Sequence, residues 1–151
     1  MKYIDTSAFV KHYRKEELGS DIINKLMDDS KEKNSQLISS FIVVGEIISV
    51  FDKWARYKFI TKQECDELVR IFLKEIKQLT DNEVLILESV SNSMITMSVE
   101  LIIKHHLSLN DALHLYTALG NKNLIQEFVC SDDSLLKAAK SEGFEVLNPE
   151  G

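Results

Sequence analysis

The chain has 151 residues, 44% of them hydrophobic and 28% charged, with a formal net charge of −6. That size fits a single domain over residues 1–151, able to bury roughly 68–70% of its unfolded surface without covalent staples. The acidic balance argues against binding nucleic acid through overall charge. With no 18-residue apolar run and no leader-like N-terminus, the expectation is a soluble, cytoplasmic protein with no membrane partner.

Short apolar runs alternate with stretches of helical period. The first strand is expected over 2–5, where Met1-Lys2-Tyr3-Ile4 ends on Asp5. Lys11, His12, Arg14 and Lys15 follow as a basic cluster, readable as a rim that guides phosphates or as a solvated face. A helix is expected over 18–28, a strand over 36–39 and a long helix over 41–58. A plainly amphipathic helix, 62–78, makes a hairpin with it. Near that turn Trp54, Tyr57 and Phe59 offer a partner surface or pack within the monomer, and Lys53, Arg56 and Lys58 form a second basic cluster. Strand 84–87, helix 90–104, helix 111–119, strand 127–130, helix 134–141 and strand 145–147 complete the pattern. Such alternation implies a parallel sheet covered on both faces. Cys65 and Cys130, far apart in apolar surroundings, read as buried free thiols.

Four carboxylates stand at the edges of segments that this pattern buries: Asp5, Glu46, Asp111 and Asp132. Asp5 and Asp132 end strands, and ligands of parallel sheets collect beyond the strands' carboxyl ends. Asp111 opens a helix, where capping alone is a competing explanation. Glu46 is the only ionisable group between Phe41 and Phe51, on a helix apolar nearly all round, so it needs an arginine, a hydrogen-bond set or a metal as partner. A hard cation, Mg²⁺ or Mn²⁺, satisfies oxygen donors of this kind and acts on phosphates. His/Cys spacing suited to zinc is absent.

The N-terminal Tyr3-Ile4-Asp5-Thr6-Ser7-Ala8-Phe9 resembles the opening of PIN-domain nucleases. The likeness continues through Ser39–Glu46, Leu109-Asn110-Asp111-Ala112-Leu113-His114 and Phe128-Val129-Cys130-Ser131-Asp132, in the family's order, over essentially the whole chain. It implies a three-layer α/β/α fold and a metal-dependent ribonuclease of the VapC-like kind, the toxin of a type II toxin–antitoxin pair. It also implies an RNA substrate, a small antitoxin partner and a homodimer. Carried over by position, Asp5, Glu46, Asp111 and Asp132 match the family's acidic residues, and Thr6 and Ser7 its hydroxyls. Cys130 departs from the Thr or Ser often found there; a thiol supports a carboxylate poorly, so that support is expected to pass to Ser131. Asp133 is expected to cap the following helix rather than bind metal.

Phosphodiester hydrolysis needs an activated water and neutralisation of charge on the phosphoryl oxygens, which a carboxylate-held ion supplies. One ion or a pair fits the four carboxylates. Ser7 either bonds the bound water or phosphate, or caps a helix starting at Ala8. His114, one turn beyond Asp111, reads as a satisfied core histidine. Two alternatives compete: a non-catalytic PIN-like scaffold, and another Asp-dependent phosphohydrolase, whose phosphatase form wants an Asp where Ser7 stands.

Overall fold

A computed structural model describes residues 1–32 and 35–151. The strands are β1 (Lys2–Ile4), β2 (Leu37–Ser40), β3 (Leu85–Glu88), β4 (Glu127–Val129) and β5 (Val146–Leu147). The helices are α1 (Thr6–Phe9), α2 (Ser20–Glu32), α3 (Ile42–Arg56), α4 (Lys62–Asp81), α5 (Asn92–His105), α6 (Leu109–Gly120) and α7 (Asp133–Ser141), with a 3-10 turn at Val10–Tyr13 after α1. All strand pairs are parallel, in the order β3-β2-β1-β4-β5.

Side-chain alternation along the strands splits the core in two. Ile4, Leu37 and Val129 face one side with Phe9, Ile47, Phe51 and Phe72. Tyr3, Ile38 and Phe128 face the other with Leu101, Leu115 and Leu135. The period of two along a strand thus sorts neighbouring residues into opposite layers, giving the expected three-layer α/β/α arrangement. Phe51 and Phe72 are fully buried and meet edge-on at 6.0 Å; each burial contributes roughly 1.5–3 kcal/mol. Among the described residues, no helix is long and apolar enough to cross a membrane.

Element ends depart from the sequence reading where side chains cap helices. Asp5, not Ser7, caps α1, which starts at Thr6 rather than Ala8; its Oδ1 accepts the Ala8 N–H. Helix α6 begins at Leu109, two residues before Asp111, because Ser108 Oγ accepts the Asp111 N–H. Capping therefore does not explain the Asp111 carboxylate. Asp132 rather than Asp133 caps α7, accepting from Leu135 N–H at 2.9 Å. In α4 a capping box between Thr61 and Glu64 stops the helix at the hairpin turn.

Two members of the first basic cluster, Lys11 and His12, are tied into the fold, while Arg14 and Lys15 are exposed. Lys11 is 2% exposed and bonds Glu17 and Glu150. His12 bonds Asn24 and Glu75, and the Arg14 guanidinium lies over the rings of Trp54 and Phe59. Both cysteines are free and buried, as expected.

Candidate functional site

Parallel strands bring their carboxyl ends, and the N-termini of the helices that follow, to one edge of the sheet. Asp5 leaves β1 there in extended conformation and is 2% exposed. Ser7 Oγ donates to the Asp5 carboxylate, and Cys130 Sγ approaches Oδ2 at 3.4 Å. Burial pushes the Asp5 carboxyl up; the His114 charge and the hydrogen bonds from Ala8, Ser7 and Cys130 pull the other way without cancelling it. Carboxylate support was expected to pass from Cys130 to Ser131, but among the described residues the Ser131 hydroxyl has no partner. Its backbone N–H instead donates to Ser7 Oγ at 2.9 Å, and Ser7 passes the restraint on.

Glu46 rises from the middle of α3, and its partner is a hydrogen-bond set. Thr6 Oγ1 donates to Oε1 at 2.7 Å, His114 Nε2 meets the same oxygen at 2.7 Å, and the Asn110 amide reaches Oε2 at 3.3 Å. Burial pushes this carboxyl up, yet the His114 bond and charge, with Thr6 and Asn110, outweigh it and hold Glu46 below the usual carboxylate range.

Asp111 is the opposite case. Burial, then the charges of Asp132, Asp5 and Glu46, push its carboxyl up to about 6, with His114 opposing. Among the described residues none donates a hydrogen bond to its carboxylate. Asp132 is exposed, its Oδ1 held by the α7 amide. Asp132, Asp5 and Glu46 thus each lie within electrostatic reach of Asp111. Asp133 lies in the first turn of α7.

Thr6 and Ser7 therefore each donate a hydrogen bond to a carboxylate of the cluster. His114 is 1% exposed, in agreement with a core histidine, but it also grips Glu46, which the sequence reading missed. Its spacing from Asp111 was the available signal: three residues apart on a helix, the two share a face. Tyr3 and Asn110 were missed as well, since neither carries a charge that marks it.

The donor set suits a hard divalent cation: oxygen only, mutually repelling, with one carboxylate lacking any donor. Among the described residues no three His, Cys, Asp or Glu side chains are already arranged to hold an ion. Mg²⁺ asks for less, because it keeps several waters and takes one or two carboxylates directly.

Sheet order and side-chain placement together define a three-layer α/β/α protein with a carboxylate cluster at the carboxyl edge of its strands. The PIN domain family model matches residues 2–141, and the chain belongs to that family, whose members are in general nucleases. No curated protein matches the chain by sequence. Among solved structures, the chain is similar to VapC20 of Mycobacterium tuberculosis, described as a toxin that cleaves the sarcin–ricin loop. The TM-score is 0.64 at 18% identity, over 95% of this chain and 96% of that one. It is also similar to PAE2754 of Pyrobaculum aerophilum, with a TM-score of 0.61 at 17% identity, over 97% and 89% of the two chains.

Proposed function

We propose that this chain is a Mg²⁺- or Mn²⁺-dependent endoribonuclease of the cytoplasm, the toxin of a type II toxin–antitoxin pair. One observation carries the reading: Asp111 lies within electrostatic reach of three other carboxylates and, among the described residues, has no hydrogen-bond donor to its carboxylate. Asp5 and Asp111 or Asp132 would hold the ion, with Glu46 beside it. A divalent ion bound there supplies an activated water and neutralises charge developing on the phosphoryl oxygens.

The chain's own residues do the rest. Ser7 holds the Asp5 carboxylate, and Thr6 with His114 holds Glu46. Beside Glu46 runs an open groove of 680 Å³ lined by Thr6, Phe41, Ile42, Gly45, Ser49 and Asn110. Phe41 is 56% exposed at its mouth and offers a stacking face, which suits single-stranded RNA with its bases splayed out. Tyr57 and Phe59 at the helical hairpin, and Ile95, Val99 and Ile103 along α5, are exposed apolar side chains on separate elements. Two such surfaces support the reading of two protein partners, an antitoxin and a second copy.

The test is cleavage of a labelled mixed-sequence RNA by purified protein in Mg²⁺, Mn²⁺ or EDTA, beside Asp5→Asn and Asp111→Asn. Metal-dependent cutting lost in both variants is expected. Equal cutting by all three proteins would mark a contaminant, and absence of both cutting and Mn²⁺ binding would leave the non-catalytic scaffold.

A further inference from the structure

We infer that Tyr3 and His114 form a buried clamp that fixes which oxygen of Glu46 faces the acidic site, making His114 a positioning residue. The inference rests on the metal-dependent reading above. Three elements meet in the clamp: Tyr3 comes from β1, Glu46 from α3 and His114 from α6. The contact ties the helical layer that holds α3 to the opposite layer, over the end of the sheet.

The direction of each hydrogen bond follows from its neighbours. Tyr3 Oη accepts the Ser40 N–H at 3.2 Å, and its own proton is left for His114 Nδ1 at 2.7 Å. An imidazole whose Nδ1 accepts carries its proton on Nε2. That nitrogen lies 2.7 Å from Glu46 Oε1. A doubly protonated ring would also present Nε2–H to Glu46, so the assignment does not depend on the charge of His114. Thr6 Oγ1 donates to the same Oε1. Two donors thus occupy Oε1, while Oε2 has only the Asn110 amide at 3.3 Å. Oε2 is the oxygen left to meet an ion or its water. Outer partners of this kind typically change metal affinity or activity about 10–100-fold when removed.

A glutamine at position 114 places an amide N–H near where Nε2 stands; a methionine fills similar space with no donor. Mn²⁺ binding by calorimetry is compared for wild type, His114→Gln, His114→Met and Tyr3→Phe, with thermal melting of each to confirm folding. Expected are Mn²⁺ affinity about 10–100-fold lower in His114→Met, recovery of most of it in His114→Gln, and a smaller loss in Tyr3→Phe. In RNA cleavage, kcat falls in His114→Met while KM stays near wild type. Folded His114→Met and Tyr3→Phe variants that bind Mn²⁺ as wild type does would overturn the clamp and leave the nuclease reading standing. Wild type that binds no Mn²⁺ would overturn that reading instead. If His114→Met fails to fold, His114→Gln and Tyr3→Phe decide: equal, wild-type affinity in both overturns the clamp.

Discussion

Ser7 Oγ lies 2.8 Å from both carboxylate oxygens of Asp5. The same hydroxyl accepts the Ser131 N–H, so one side chain joins the segment after β1 to the segment after β4. Its hydroxyl proton is shared between the two oxygens, beside the Ala8 N–H on Oδ1 and the Cys130 thiol on Oδ2.

Ser7→Ala therefore leaves the partly buried Ser131 N–H without its partner and weakens the hold on Asp5. A loss of about 1–3 kcal/mol is expected, seen as a melting temperature lower by roughly 2–10 °C. Mn²⁺ affinity is expected to fall about tenfold. Calorimetry of the folded variant reads both quantities. Wild-type Mn²⁺ affinity in a destabilised Ser7→Ala would reduce Ser7 to a purely structural role.

Asp111 gives the clearest pH dependence. Its folded value of about 6 lies above its ordinary 3.8, so the folded chain holds this proton more tightly than the unfolded chain does. The stabilising contribution is complete below about pH 4 and is lost as pH rises to about 6. Asp111→Asn removes the penalty, and in EDTA it is expected to melt about 2–4 °C higher than wild type at neutral pH. That corresponds to about 1 kcal/mol once solvent screening of a half-exposed group is allowed for. The gap closes toward pH 4. Added Mn²⁺ should raise the wild-type melting temperature and leave that of the variant unchanged. A variant less stable than wild type in EDTA at pH 7 would contradict the argument.

His12 titrates with the opposite purpose. Its Nδ1 meets Asn24 Oδ1 at 2.6 Å and its Nε2 meets Glu75 Oε1 at 2.9 Å, so acceptors face both ring nitrogens. The Glu75 bond, helped by Asn24 against burial, raises the His12 value. Stability from this pair is complete below the ordinary histidine value of about 6.5 and is lost as pH rises through the folded one. Glu75→Gln should cost about 1 kcal/mol near pH 6, a screened, half-buried pair, and less as pH rises above the ordinary histidine value. Urea denaturation across that range reads the narrowing. A gap that stays constant would mean His12 does not change its charge across that range.

Alternation of strand and helix was legible because each strand's apolar run is short and each helix carries a stripe at helical spacing, as in Val44, Ile47, Ile48 and Phe51. The five strands fall within a residue of their expected ends. The start of α6 was harder: Leu109 and Asn110 show no periodicity, and only the Ser108 hydroxyl marks the turn. The short helix after Asp5 was foreseen only as something beginning near Ala8. Charged residues announced the four acids of the site, whereas their holders did not stand out. His114 and Glu46 are 68 positions apart, and nothing local to either records their bond. Lys11 misled for the same reason. Its partners Glu17 and Glu150 bury it, and the second of these lies 139 residues away.

The sheet places β1, the first strand of the chain, between β2 and β4. Asp5 and Glu46 thus leave the ribosome long before Asp111 and Asp132 exist to complete the cluster. A nonsense codon ahead of position 132 therefore yields a fragment without the assembled cluster.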